Sequence, residues 1–312
     1  MAKLRLTRST WIADGIVELQ FRDPEGAELA PWTPGAHLTL GLTTTLSREY
    51  SLCGDPADRY RYAVAVQREP ASRGGSAHVH DTLRVGAVID VDGPKNNFEL
   101  EDAPAHLLLA GGIGITPMAA MARELHARGA NWRLLYAGRS RRSMAFADEL
   151  AGLGGDRVRL HADDEHGGPP DLAAELAAAP ADALVYCCGP EPLLAAVEAQ
   201  LDDASRLRVE RFRAPAPAET TAGDAEQAFE VSCSRGTFTV QPGVSILDAL
   251  RAGGVDVPSS CEEGICGTCE TRVLSGEPEH RDFLLSGAER AANTVLMPCV
   301  SRSRSPRLVL DL

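Results

Sequence analysis

His106-Leu-Leu-Leu-Ala-Gly-Gly-Ile-Gly-Ile-Thr-Pro117 decides how the middle of this 312-residue chain folds. His106 to Ala110 is an apolar run of strand length, as expected for a strand buried on both faces of a parallel sheet. A glycine-rich turn follows. It leads to Thr116, an N-cap candidate, and to Pro117, whose fixed φ suits the first helical position. The helix so opened is rich in alanine and methionine and is predicted to run to Gly129. Arg133–Ala137 is a second apolar run. Ala183–Cys187 is a third, after which Pro192 opens a helix to about Leu201. Strands alternating with helices predict an α/β, doubly wound parallel sheet over residues 103–213.

Upstream, residues 1–102 read differently. Short β-type runs at Gly15–Phe21, His37–Leu42, Tyr60–Gln67 and Ala87–Val91 are punctuated by Pro31, Pro34-Gly35, Gly54-Asp55-Pro56 and Gly93-Pro94. That spacing predicts a small antiparallel β-barrel. Downstream, residues 214–226 hold almost no large apolar side chain and read as a semi-extended linker. Residues 227–312 follow as a compact α+β segment, opened by the alternating runs Phe229–Cys233 and Thr237–Gln241. The expectation is a multidomain chain.

Composition narrows the function. Forty-four acidic against 31 basic side chains give a net charge of −13, and acids outnumber bases in each segment. Nucleic acid demands a basic face and is not an expected partner. The amino terminus lacks the apolar core of a signal peptide. The most apolar stretch, Leu107–Ala122, is broken by glycines and Pro117 and is too short to cross a bilayer, so no membrane role is expected. The chain reads as cytoplasmic, where thiols stay reduced. Its eight cysteines therefore need a reason.

Cys261-Glu-Glu-Gly-Ile-Cys266-Gly-Thr-Cys269, with Cys299 further on, has the plant-type spacing C-x4-C-x2-C…C for a 2Fe–2S cluster. Four thiolates suit the soft iron–sulfur core, and Gly264 and Gly267 let backbone N–H groups turn toward the sulfurs. A structural zinc site and buried free thiols are the alternatives, although zinc favours paired short knuckles and only Cys266/Cys269 forms one. Cys53, Cys187 and Cys233 read as small buried packing residues. Cys188 stands apart, because Gly189-Pro190 follows it at the carboxyl end of a predicted strand, where open parallel sheets bind ligands.

The loop Gly111–Pro117 joins a buried strand to a helix N-terminus, a setting that suits a pyrophosphate. Tight packing is the competing reason for its glycines. A domain specific for NAD places an acid after the second strand. Here Tyr136-Ala-Gly-Arg-Ser-Arg-Arg142 offers Arg139, Arg141 and Arg142 instead, which tilts toward a 2′-phosphate. Both NADH and NADPH remain open as electron donors. His161-Ala-Asp-Asp-Glu-His166 could suggest a metal site, but the Gly-Gly-Pro-Pro170 that follows favours a solvated loop. No G-x-S-x-G elbow, H-E-x-x-H pair or Rieske-type C-x-H pair is found.

Taken in order, Arg48-x-Tyr50-Ser51-Leu52, Arg73-Gly-Gly-Ser76, Gly93-Pro-x-Asn-Asn-Phe98, Gly111–Pro117, Cys188-Gly-Pro190 and the cysteine constellation resemble the phthalate dioxygenase reductase family, to which vanillate demethylase reductases also belong. The resemblance covers nearly the whole chain. It implies an FMN-binding barrel, an NAD(P) domain and a carboxyl-terminal plant-type ferredoxin. It further implies that Arg48, Tyr50 and Ser51 hold FMN, with Ser51 near the reactive flavin nitrogen. Arg73, Gly74, Gly75 and Ser76 would close on the FMN phosphate. Val66 and Gln67 would line the same site, Gln67 standing where relatives often carry lysine. Gly112, Thr116 and Cys188 would contact the nicotinamide nucleotide, and Phe212 would cover the flavin, unless it packs in a core.

Hydride transfer moves two electrons, an iron–sulfur cluster accepts one, and a flavin reconciles them. The expected activity is an oxidoreductase passing electrons from NAD(P)H through FMN and the cluster to a separate Rieske-type oxygenase. Ser51 and Cys188 would place the reacting atoms. Electron donation to a cytochrome P450 and a redox sensor without turnover are the alternatives. Glu262, Glu263, Glu270, Glu277 and Glu279 suggest docking on a basic face of the partner. The chain itself is expected to be a monomer.

Overall fold

The computed structural model describes residues 1–215 and 226–312, so most of the expected 214–226 linker lies outside the described residues. The described chain forms two compact units, Met1–Arg211 and Phe212–Leu312.

The first unit contains two sheets. One is antiparallel, built from β1 (Ala2–Ala13), β2 (Ile16–Arg22), β3 (Ala36–Gly41), β4 (Ser47–Ser51), β5 (Tyr62–Gln67) and β6 (Val88–Asn96) in the order β4-β3-β6-β1-β2-β5. Its edge strands meet where Leu52 bridges Val64, so the sheet curls into the expected barrel. Alternation explains the interior: Leu4, Leu6, Leu19, Phe21, Leu38 and Leu40 are almost fully buried. Two strands differ from expectation. β1, whose outer face is polar, has no clear apolar run, and β4, which carries Arg48–Ser51, lies outside the four expected β-type runs.

The second sheet is parallel: β7 (His106–Gly111), β8 (Trp132–Gly138), β9 (Val158–Ala162), β10 (Leu184–Cys188) and β11 (Leu207–Glu210), ordered β11-β10-β7-β8-β9. Every residue of β7 is buried, as a central strand requires. The chain runs outward one way through β8 and β9, then returns to the other side of β7 as β10 and β11. The switch point therefore lies between the carboxyl ends of β7 and β10. The helix after β7 spans Ile115–Ala127, behind a 3-10 turn at Gly112–Gly114. Thr116 is thus inside the helix and not its N-cap. Its hydroxyl donates back to Ile113 O at 3.0 Å. Pro117 is tolerated because first-turn N–H groups have no intrahelical acceptor. The packed core under this helix joins Leu108, Met118, Met121 and Tyr186 to Ile16, Ala63 and Ala65 of the barrel.

The second unit is α+β. Its mixed sheet is made from β12 (Phe229–Cys233), β13 (Gly236–Val240), β14 (Thr271–Ser275), β16 (Val295–Leu296) and β18 (Arg307–Leu310), ordered β13-β12-β18-β14-β16. β15 (Pro278–Glu279) and β17 (Arg302–Ser303) form a separate pair. Helix Ile246–Ala252 is capped by Ser245, and helix Gly287–Ala292 by a capping box of Ser286 and Glu289.

Leu108 is fully buried on the central strand, and truncating it leaves a cavity on the face of the sheet that it shares with Met118 and Met121. Leu108→Ala is expected to cost about 2–5 kcal/mol, read as a lower Tm of the thermal transition of the first unit.

Candidate functional site

The switch point is closed by backbone contact. A Cβ on Gly114 would lie 2.2 Å from Cys188 O, and one on Gly111 would lie 2.6 Å from the Pro190 ring. Packing accounts for these two glycines. Gly112 differs: its φ is +53° and open space surrounds its missing side chain, so it is the glycine that a ligand could approach. Thr116 is buried with its hydroxyl turned inward.

Cys188 ends β10, fully buried, and is paired in register with Glu210 at the end of β11. Glu210 Oε2 accepts from Ser51 Oγ at 3.4 Å and lies 3.8 Å from Cys188 Sγ. A barrel strand and two strands of the parallel sheet thus bring one hydroxyl, one thiol and one carboxyl together. Burial pushes the Glu210 carboxyl up to about 8, against the hydrogen bonds from Ser51 and Cys188 that favour its anion. Burial likewise raises the Cys188 thiol, with the Glu210 charge adding to it. At neutral pH the trio is mainly uncharged and holds a proton on the carboxyl. Glu210 was missed in the sequence, where it reads as one more acid before an acidic linker. Its place at the carboxyl end of a parallel strand is visible only once β11 is paired with β10. His37, directly across from Ser51 on β3, is buried too.

Around Ser51 the barrel motif forms a cradle. Arg48 donates to Ser47 O at 2.7 Å and to Arg73 O at 2.8 Å, tying β4 to the Arg73–Ser76 loop. A Cβ at Gly75 would lie 2.5 Å from Arg48 Cγ, so only glycine admits that side chain. Gly74, with φ +92°, supplies no capping side chain to helix Gly75–Asp81. An acceptor such as a phosphate suits that helix start beside a guanidinium. Ser76 Oγ accepts from Glu69 N and donates to Ser72 Oγ, both at 3.1 Å. Tyr50 is half-buried, and burial pushes its phenol up to about 12. Val66 is buried and Gln67 half-buried at the end of β5. These residues fit a flavin mononucleotide: an apolar wall, a ring to flank it and a phosphate end.

The arginines after β8 do not act as one group. Arg141 pairs with Asp148 at 2.6 Å and Arg142 with Asp14 at 3.5 Å, while Arg139 is exposed. The His161–His166 segment is not a solvated loop. His161 is buried at the end of β9, its ring stacked at 4.4 Å on His166 above the short helix Asp163–His166.

In the second unit the cysteine loop is shaped by left-handed residues Glu262, Gly264 and Gly267. The four thiols gather as two couples. Cys269 Sγ lies 3.4 Å from Cys299 Sγ, and Cys261 is in hydrogen-bond contact with Cys266. Glu263 N–H donates to Cys261 Sγ at 3.3 Å. Among the described residues no three His, Cys, Asp or Glu converge on one metal-sized point. Two thiolates for each of two irons fit this arrangement, whereas a single tetrahedral zinc asks for all four about one point. Cys53 and Cys187 are buried in cores and Cys233 is half-buried against one. Phe212 is 37% exposed and belongs to none of the apolar cores. Three of the five expected docking acids already face arginines: Glu262 with Arg251, Glu277 with Arg304 and Glu279 with Arg281.

A carboxyl whose folded value is raised binds protons more tightly in the native state. Its contribution is complete at pH below the ordinary 4.5 and is lost as pH rises toward about 8. Glu210→Gln is expected to flatten that fall when Tm is followed from pH 5 to 8. Cys269→Ser and Cys299→Ser should each abolish bound iron and the visible iron–sulfur absorption, whereas Cys53→Ser and Cys233→Ser should retain both.

The oxidoreductase NAD-binding domain family matches residues 108–199, and the 2Fe–2S iron-sulfur cluster binding domain family matches residues 229–304. Phenoxybenzoate dioxygenase subunit beta of Ectopseudomonas oleovorans is 49% identical over 99% of this chain and 97% of its own. An intact type IV self-sufficient cytochrome P450 monooxygenase superposes with a TM-score of 0.90 at 43% identity, over 100% of this chain but only 41% of that one. The solved phthalate dioxygenase reductase superposes with a TM-score of 0.72. Because it is 39% identical over 99% of this chain and 97% of its own length, this chain belongs to the phthalate dioxygenase reductase family.

Proposed function

We propose that the protein oxidises NAD(P)H and delivers the electrons singly to a separate oxygenase of the Rieske type. The observation that carries this reading is the convergence of Ser51, Cys188 and Glu210 at the switch point of one unit, together with the two thiol couples Cys261/Cys266 and Cys269/Cys299 in the other. Residues 1–102 are read as the FMN barrel, 103–213 as the nicotinamide domain and 227–312 as the ferredoxin. FMN held there would supply the conversion from hydride to single-electron transfer, and a 2Fe–2S cluster held by the four cysteines would supply a one-electron carrier.

The chain's own residues do the rest. Arg48, Arg73 and the Gly74–Ser76 turn bind the FMN phosphate, and Tyr50, Val66 and Gln67 wall the ring. Gly112, Arg139 and Arg141 line the path of the nicotinamide nucleotide, and Thr116 steadies the turn behind it through its bond to Ile113 O. Ser51 and Cys188, both buried, would exclude water from the place where a hydride is transferred and orient its donor and acceptor. Glu210 keeps a proton on its carboxyl beside the Ser51 hydroxyl, where it can be exchanged as charge moves. Cys261, Cys266, Cys269 and Cys299 hold the cluster.

Among the described residues no helix is long and apolar enough to cross a membrane, and a cytoplasmic location is part of the reading. A second reading, donation to a P450, is favoured by the fit to the P450 fusion.

Anaerobic titration with NADH and with NADPH should bleach flavin and cluster absorption together, and a colourless protein would overturn the reading. Ser51→Ala should slow flavin reduction on the order of 10²-fold in stopped flow. Reconstitution with a Rieske oxygenase and with a P450 separates the two readings by which one turns over.

A further inference from the structure

Against the cysteine loop the second unit buries a pair of polar groups that the mechanism above does not use. Asp282 is 2% exposed. Its Oδ1 accepts from Leu284 N at 3.1 Å and Leu285 N at 2.8 Å, which explains that oxygen as the anchor of a turn. Its Oδ2 has no hydrogen-bond partner, and neither has His280 Nδ1. These two orphaned atoms lie 3.8 Å apart, on side chains 0% and 8% exposed. His280 Nε2 is held 3.1 Å from Asn293 Oδ1. A carbonyl oxygen only accepts, so Nε2 carries a hydrogen. In the neutral imidazole, Nδ1 then turns a lone pair toward a carboxylate lone pair. A single proton on Nδ1 satisfies both atoms and makes a buried ion pair of them.

The other charges around the pair are few. Arg290, from helix Gly287–Ala292, lies 3.7 Å from Asp282 Oδ1 and donates to Asp282 O. The flanking Arg281 turns to Glu279 and Glu226. Contact with the cysteine loop is direct through backbone. Phe283 N donates to Gly264 O at 2.9 Å, and a Cβ on Gly264 would lie 3.1 Å from Asp282 Cα and 2.6 Å from Val300. Gly264 stands between Cys261 and Cys266, and Val300 follows Cys299.

We propose that His280, backed by Asp282, takes up the proton that balances the electron entering the four-cysteine cage. The inference rests on the 2Fe–2S reading. One electron from the reduced flavin adds one negative charge to the cage. One proton from solvent forms the Nδ1–H bond of His280, no bond breaks, and the net charge of the buried region stays constant. Charges buried close together in a low-dielectric setting interact strongly, so each event favours the other. Histidine suits the task because its charge changes near physiological pH.

The test is an EPR-monitored redox titration of the cluster in the full, flavin- and iron-loaded chain, repeated from about pH 6 to 8.5. In the wild type the reduction equilibrium constant should fall with rising pH, approaching tenfold per unit, about 59 mV for a one-electron couple. His280→Asn and His280→Gln should keep the cluster spectrum and lose the slope. Asp282→Asn keeps the oxygen that accepts from Leu284 and Leu285 but removes the anion. It should move the sloping region to lower pH. A wild-type potential independent of pH overturns the proposal, as does a slope that survives both histidine variants. A sloping region unmoved by Asp282→Asn overturns it as well. A protein with no 2Fe–2S signal at all would instead overturn the cluster reading.

Discussion

The close approach of two loop backbones at the switch point of the parallel sheet is the constraint on which the first unit depends. Gly114 lies where any side chain would strike the carbonyl of Cys188. Because that contact is backbone on backbone, it sets the end of β10 against the start of the helix after β7 with no flexible side chain between them. Cys188 is thereby held at the crevice, and the register of β10 on β11 sets Glu210 beside it. The barrel then needs only to bring Ser51 to the same place. It does so through the core shared by Ile16, Ala63, Ala65, Leu108 and Met118.

The resulting site is unusual for what it leaves uncharged. A carboxyl, a thiol and a hydroxyl meet where water is scarce, and burial keeps the proton on the carboxyl. Beyond the trio the charge of Glu49 pushes the Glu210 carboxyl further up, and in the cradle Arg48 is held by two backbone carbonyls. The separation is physically useful: an apolar, proton-bearing end suits hydride movement, and a cationic end suits an anionic anchor. The cysteine loop follows a different rule, because left-handed residues turn backbone N–H groups inward, as Glu263 N–H does toward Cys261.

The motifs were legible because each depends on residues close together in sequence. Cys261, Cys266 and Cys269 share one loop, and Arg48–Ser51 share one strand. Gly111–Pro117 announced a strand–turn–helix, although the helix starts at Ile115, ahead of the Thr116 cap that the sequence suggested. A threonine can donate to the carbonyl three residues back as readily as cap, and burial decided between them. Glu210 was not legible, since nothing local distinguishes a buried acid from a solvated one. Nor was the fate of the docking acids, whose arginine partners lie from two to twenty-seven residues away. His161 and His166 read as loop because glycine and proline follow, yet β9 buries the first and stacks the second on it.

By itself the sequence determined the order of antiparallel, parallel and α+β character along the chain and the spacing of its four clustered cysteines, because spacing and periodicity are properties of a local chain. Only the tertiary structure decided which glycine faces open space, which acid keeps its proton and which arginines are already paired. Those outcomes depend on burial and on partners brought together by folding. Desolvation exists only once the chain has closed over a group, and no residue's neighbours in sequence can report it.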